Sequence, residues 1–395
     1  MLETIRSTIC EIQSEIVALR HELHAHPEIR FQETWTSARV ARFLDEAGIP
    51  YTRGHARGTG IVAVVEGTGE RGVLLRADMD ALELEEETGL PYASQFPGRM
   101  HACGHDGHTA CLCGVAKALA RHRVLLKGTV KLVFQPAEEQ GGGGRYIVEE
   151  GVLAHVQAAF ALHAWPGIPA GQAALREGYV MAGADFFRID IQGRGGHGAD
   201  PATSVDPIIV AAHLTTALQS VVSREVNPWE AAVLTIGHIE AGSTENIIPD
   251  TARMEGTLRA LTPDVRLHLR RAIERIAHSI AEAFRASATV TFEACCYPPL
   301  KNDPELCALA REVATSVLGP GNVSRLPHPF MTAEDFAFYA ERVPGAFLFL
   351  GNDALGVAEP PRLHTPRFDF NDAIFPQAIE LMALLAIRFL DERAA

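Results

Sequence analysis

The eight residues His101-Ala-Cys-Gly-His-Asp-Gly-His108 carry five side chains able to bind a divalent metal: His101, Cys103, His105, Asp106 and His108. Mixed sulfur, nitrogen and oxygen donors suit zinc or a similar borderline ion. Cys103 and His105 are two residues apart, too close to share one helical face. An irregular loop is therefore expected to present them, with Gly104 and Gly107 allowing tight turns. Two rival readings exist for this stretch alone. Its histidines could be polar residues of a surface turn, or Cys103 could be a nucleophile activated by a neighbouring His.

Three other places carry similar chemistry. Asp78 and Asp80 follow the apolar run 72–77, Glu138 and Glu139 follow 129–134, and His163 follows 158–162. Each run reads as a buried strand, and helical patterns separate them, which predicts a mostly parallel α/β sheet. Sites in such sheets lie in the crevice beyond the carboxyl ends of the strands. Any one of these residues alone would be a loop carboxylate or a helix cap. Together with the 101–108 loop they can converge on one site.

Leu2, Ile5, Ile9, Ile12, Ile16, Leu19 and Leu23 follow a helical period, predicting an amphipathic helix over 2–23. His21 and His24 lie at its end, before Pro27, and read as partly buried helix-end histidines, not ligands. A second helix is expected from Gly107 to Ala120. Near residue 183 the rhythm changes to strand 186–191, helix 204–222, strands 231–239 and 253–261, helix 262–284 and strand 288–292. This β-α-β-β-α-β order matches a ferredoxin-like α+β unit. The α/β pattern then resumes with helix 304–318, strand 346–350 and helix 372–391. The expected organisation is a catalytic domain in two parts, 1–183 and 294–395, with an inserted domain at 184–293.

Composition narrows the partners. The chain has 395 residues and a net charge of −14, which argues against nucleic acid and anionic membranes. No apolar run long enough for a membrane helix stands out, and the first residues lack the apolar core of a secretory signal, so a cytoplasmic location is expected. Seven cysteines, among them Cys111, Cys113, Cys295 and Cys296 in apolar or strand-like surroundings, read as reduced thiols, not a disulfide framework.

Nearly the whole chain resembles the dinuclear metal amidohydrolases of the aminoacylase and carboxypeptidase clan. The most similar branch holds hippurate hydrolases, N-acyl-amino-acid amidohydrolases and hydrolases of indole-acetyl amino acids. The resemblance rests on Leu23-His-Ala-His-Pro-Glu28, Arg76-Ala-Asp-Met-Asp-Ala-Leu82, Glu86-Glu-Thr-Gly-Leu-Pro-Tyr92, Met100-His-Ala-Cys-Gly-His-Asp-Gly-His108 and Phe134-Gln-Pro-Ala-Glu-Glu139. Further on it includes Gly193-Arg-Gly-Gly-His197, Glu245-Asn-Ile-Ile-Pro249, Glu334-Asp-Phe336, Leu363-His364 and Phe368-Asp-Phe-Asn-Asp372.

The resemblance implies a metal-dependent exopeptidase-like catalytic domain and a dimer formed through the inserted domain. It implies two divalent ions, zinc, manganese, cobalt or nickel, on Cys103, His105, Glu139, His163 and His364, with the thiolate bridging. Cys103 and Glu139 would cancel two of four positive charges, leaving a strongly acidified water to attack the amide carbonyl of an N-acyl amino acid. Glu138 would be the general base and later the acid. Spacing alone does not separate Glu138 from Glu139. Asp80 would orient a ligand, His197 would help stabilise the transition state, and Asn246 would hold substrate. Glu83, Thr332 and Gly198 depart from the branch's usual Pro, Gly and Ala, and the first two bear on substrate preference. Two alternatives are a dipeptidase or carboxypeptidase of the same clan, and a hydrolase dependent on Cys103.

Overall fold

A computed structural model describes residues 2–294, 296–357 and 359–391; Cys295 lies outside the described residues. The chain divides into two compact units. The first comprises Met1–Gly178, Lys301–Pro327 and Asp335–Ala395, and the second Tyr179–Leu300 and His328–Glu334. The expected inserted segment 184–293 lies within the second.

In the first unit eight strands form one sheet. Their order is Tyr51–His55, Gly60–Glu66, Gly128–Gln135, Arg71–Asp78, Ala158–Pro169, Gly345–Asp353, Ala173–Leu175 and Val323–Arg325. The central four strands are parallel, as buried, β-branched and apolar runs joined by helices require. Helix Leu2–Ala25 buries Ile5, Ile9, Ile12, Ile16, Leu19 and Leu23, the stripe read from the sequence. It packs on helices His105–Arg121 and Phe375–Asp391, and these helices share one apolar core with the sheet. The segment Asp372–Asp391 is long and apolar enough to cross a membrane, with a mean hydropathy of 1.7, so one such run does exist. Its apolar window is 78% buried in the protein, the pattern of a core helix.

The second unit is an antiparallel sheet in the order Ala232–Ala241, Thr251–Ala260, Gly183–Gln192, Ser287–Phe292. Helices Pro207–Ser220 and Pro263–Ala283 cover one face and bury Leu214, Leu218, Leu269 and Ile273 against Ile189, Ile191, Met254 and Leu258. Asp206 and Thr262 cap the two helices by accepting the N–H of Ile208 and Val265. This is the ferredoxin-like order expected from the strand and helix pattern.

Two local expectations change. The strand through His163 does not stop there. It continues to Pro169 because strand Gly345–Asp353 pairs with it as far as that residue. Cys103 and His105 are also not presented by a single loop: His105 is the first residue of helix His105–Arg121. Of the two glycines, only Gly104 makes the turn, at φ +85°. Gly107 sits inside the helix, where a Cβ would lie 2.2 Å from the Phe370 ring, so its role is close packing.

Candidate metal centre

Five segments of the first unit carry the site. Strand Arg71–Asp78 delivers Asp78 and the following Asp80, and strand Gly128–Gln135 delivers the turn with Glu138 and Glu139. His163 projects from the adjoining parallel strand, while Cys103 and His105 stand at the start of a helix. His364 comes from a loop after the last parallel strand. It is held at φ +60°, in the left-handed region, and its N–H donates to the Ala102 carbonyl at 2.8 Å. A strained residue held this way is typical of a site where the surroundings dictate geometry. Met100, Ala102 and Phe368, near Cys103 and His364 in sequence, form a small apolar cluster of their own.

The five residues expected to hold metal come together in two groups. Cys103, His105 and His163 offer donor atoms within 4.8 Å of one another, and so do Cys103, Glu139 and His364. Cys103 belongs to both. Its Sγ is 3.5 Å from His163 Nε2, and Glu139 Oε1 is 3.2 Å from His364 Nε2 and 3.9 Å from His105 Nε2. Backbone carbonyls take the other ring nitrogens: His105 Nδ1 meets Asp80 O at 2.9 Å and His163 Nδ1 meets Ala164 O at 2.8 Å. Both Nε2 atoms are thereby turned toward the thiol. Asp80 accepts the N–H of Glu138 on one oxygen and of Glu139 on the other, each at 2.9 Å.

The sequence profile of peptidase family M20/M25/M40 matches residues 74–388, a span that contains all of these groups. The chain belongs to this family. It is 40% identical over 384 residues to the IAA-amino acid hydrolase ILR1-like 4 of Arabidopsis thaliana, covering 96% of this chain and 87% of that one. It is also 40% identical over 385 residues to the N-acetyl-L-cysteine deacetylase of Bacillus subtilis, covering 96% and 89%. The crystal structure of the Bacillus subtilis YXEP protein, a dinuclear metal-binding peptidase of family M20, superimposes with a TM-score of 0.83. It shares 35% identity and covers 96% of this chain and 99% of that one.

Not every candidate of the 101–108 stretch joins this M20 site. His108 is already engaged on both nitrogens: Nδ1 meets Asp78 at 2.7 Å and Nε2 accepts the Ala164 N–H at 3.0 Å. Asp106 receives Arg20 at 2.7 Å and His24 at 2.8 Å. His101 is buried, and burial lowers its pKa to about 3. Glu83 lines a small crevice with Ile29, Leu82 and Glu139, so its departure from the branch pattern falls beside the site.

The donor set fits divalent ions. His105 Nε2 and Glu139 Oε1 are buried without a hydrogen-bond partner, a costly state unless a ligand takes them. Burial, together with Glu139, Glu138 and Asp78, pushes the Cys103 thiol well up. Burial alone would lower His105, but Asp78, Asp80 and Glu139 outweigh it and raise the group to about 10. The pocket therefore carries more negative than positive charge, and a thiolate there needs added cations. The same environment disfavours Cys103 as a free nucleophile, because burial holds its nearest imidazole, His163, neutral.

Asp78, expected from the sequence as a strand-end carboxylate of the site, braces this set together with Arg76 and Asp335, to which the sequence assigned no role. Asp78 is held low by His105, Arg76 and His108 against the opposing effect of burial, and fixes His108. Arg76 spans Asp78 and Asp335, each at 2.6 Å. The Asp335 N–H in turn donates to Glu138 at 3.3 Å. Arg76 and Asp335 are far apart in sequence, so no local spacing could have paired them. His197 and Asn246 belong to the second unit. Both are exposed, on a two-stranded ribbon where His197 faces Ile247 and the Gly198 N–H donates to Asn246 O at 2.8 Å.

Proposed function

We propose that this M20-family chain is an amidohydrolase of small N-acyl amino acids that uses two divalent ions and releases a carboxylic acid and a free amino acid. The observation that carries the reading is the pair of donor groups sharing Cys103, with Glu138 beside them. The two relatives support it, one named for hydrolysing amino-acid conjugates and the other for deacetylating an N-acetyl amino acid. Cys103, His105 and His163 would hold one ion and Cys103, Glu139 and His364 the other, and zinc, manganese, cobalt and nickel all suit these donors. Ions bound there supply Lewis acidity toward water and an amide carbonyl.

Glu138 is the proton carrier. It lies beside the ligand set without belonging to either thiol-sharing group. Its backbone is pinned by Asp80 and one carboxylate oxygen accepts the Asp335 N–H, which fixes its direction. As water oxygen bonds to the carbonyl carbon, Glu138 accepts the water proton. As the C–N bond breaks, that proton passes to the amine nitrogen. Asp80 orients His105 and both glutamates. His197 donates to the developing oxyanion and Asn246 holds the substrate's polar end. The second unit also carries the dimer contact, through the edge strand Ala232–Ala241, where Val233 and Ile239 are exposed. A reducing, cytoplasmic setting suits the six free cysteines among the described residues.

The test is a screen of metal-loaded protein against N-acetyl, N-benzoyl and dipeptide substrates. Turnover of N-acyl amino acids is expected, whereas turnover of dipeptides alone would move the reading to a dipeptidase. His197→Ala should lower turnover ~10²–10³-fold at unchanged metal content. If the partner subunit supplies this histidine, mixing His197→Ala with Glu138→Gln subunits should recover activity. A strictly monomeric, fully active protein in light scattering would remove the dimer from this reading.

A further inference from the structure

Glu33 is completely buried and precedes helix Thr34–Glu46. An aspartate in that place would ordinarily cap the helix, but the longer Glu33 side chain makes no capping bond. Glu28 does that work, accepting the N–H of Trp35 and Thr36 at 3.1 and 2.8 Å. The Glu33 carboxylate faces elsewhere. Its Oε1 accepts the N–H of Phe31 and of Ala137, both at 3.0 Å, and its Oε2 accepts the Thr59 hydroxyl at 2.9 Å.

The two N–H groups on Oε1 come from residues of one unusual kind. Phe31 has φ +55° and Ala137 φ +58°, left-handed conformations that residues with a Cβ rarely adopt. Ala137 directly precedes Glu138 and Glu139, whose own N–H groups go to Asp80. Three consecutive backbone N–H groups thus end on two buried carboxylates. The arrangement is costly. Burial and the nearby Asp80 raise Glu33 to about 8, against the pull of its hydrogen bonds. A group kept where its charge is disfavoured and its helix does not need it has another use.

We propose that Glu33 is a positioning residue: one of its oxygens locks Phe31 and Ala137 in left-handed turns and so sets the direction in which Glu138 and Glu139 enter the site. This rests on the assignment of Glu139 as a metal ligand and Glu138 as the base. It predicts that the hydrogen-bond acceptor at residue 33 matters, at its present reach, more than the charge. Glu33→Gln keeps an acceptor oxygen for both N–H groups, whereas Glu33→Asp keeps the carboxyl group but withdraws it by one methylene. Ala137→Gly removes the strain that the lock sustains.

The experiment measures, on the whole protein, cobalt and zinc affinity by chelator competition, the cobalt–thiolate absorption band, and kcat and KM. Glu33→Gln should stay within about threefold of wild type, while Glu33→Asp should bind one ion at least tenfold more weakly and lose ~10²-fold in kcat, with KM little changed. Adding Ala137→Gly to Glu33→Asp should recover at least tenfold in both. Wild-type metal affinity and kcat in Glu33→Asp would overturn the proposal, as would a Gln variant as damaged as the Asp variant, or no recovery with Ala137→Gly. If Glu33→Asp does not fold alone, folding should return with Ala137→Gly, and folding in neither would make Glu33 a purely structural group. Metal affinity needs no substrate, so a wild type that binds metal yet spares every N-acyl amino acid sinks the substrate reading and leaves this one intact. A wild type that binds no metal takes both with it.

Discussion

The octapeptide from His101 to His108 feeds two buried charged clusters of different character. His105 and Cys103 enter one, with Glu139, His163 and His364. Asp106 enters the other, where it meets Arg20 and His24, while Arg20 also binds Asp369 and His24 meets Glu86 at 3.3 Å. The second cluster carries its own cation. Single atoms of Arg20 and Asp106 lack a hydrogen-bond partner, but each group touches its opposite charge. The first cluster has one carboxylate and a thiol, and only imidazoles among its members to oppose them. The difference separates a brace from a binding site: buried charge whose counter-charge is in the chain holds the fold, and buried charge without it waits for a ligand.

Removing the ligand should break the contrast most sharply. Chelation is expected to abolish hydrolysis while the protein stays folded on its brace, and manganese, cobalt, nickel or zinc should restore activity. Assay, metal analysis and circular dichroism together decide this. Full activity in metal-free protein would return the chemistry to Cys103.

At the first cluster the two adjacent glutamates should part. Glu138→Gln should keep its ions and lose ~10²–10⁴-fold in turnover, the usual contribution of a general acid–base group. Glu139→Gln should lower metal occupancy instead. The opposite pattern, by metal analysis and kinetics on both variants, would exchange their roles.

In the brace the loss should be stability. Arg20→Met leaves Asp106 with His24 as its one remaining cation and should cost about 3 kcal/mol in denaturant unfolding. Arg20→Met with Asp106→Asn should cost less than the sum of the two, because neither charge is then left alone. A metal affinity reduced as far as in Glu139→Gln would show that the two clusters are one.

The smallest effect concerns pH. Burial would lower His24, but Asp106 and Glu86 raise it from 6.5 to about 9. A group whose pKa rises on folding contributes fully below its unfolded value and loses that contribution as pH climbs through the folded one. Stability should therefore fall between about pH 6.5 and 9, and His24→Gln should flatten that slope in urea titrations at several pH values. An unchanged slope would remove His24 from the brace.

Much of this was legible before the fold. Candidate ligands keep a chemical type whatever surrounds them, so Cys103, His105, Glu139 and His163 could be singled out by type and by their place in a dense loop or after a strand, and His364 by family likeness alone. The helical stripe of Leu2–Ala25 and the order of the second unit followed from periodicity, a local property. Spacing could not tell that His108 and Asp106 were spoken for. Their partners Asp78, Ala164, Arg20 and His24 lie 30 to 86 residues away.

By itself, then, the sequence determined which side chains were available and which periodic faces would be buried, since both are carried by each residue and its near neighbours. Only the tertiary structure decided which buried polar atoms found partners. It matched Arg20 to Asp106, Arg76 to Asp335 and Glu33 to Ala137, and left His105 Nε2 and Glu139 Oε1 open beside one thiol. Hydrogen bonds and ion pairs act only over a few ångströms, and chain folding alone brings groups so far apart in sequence within that range.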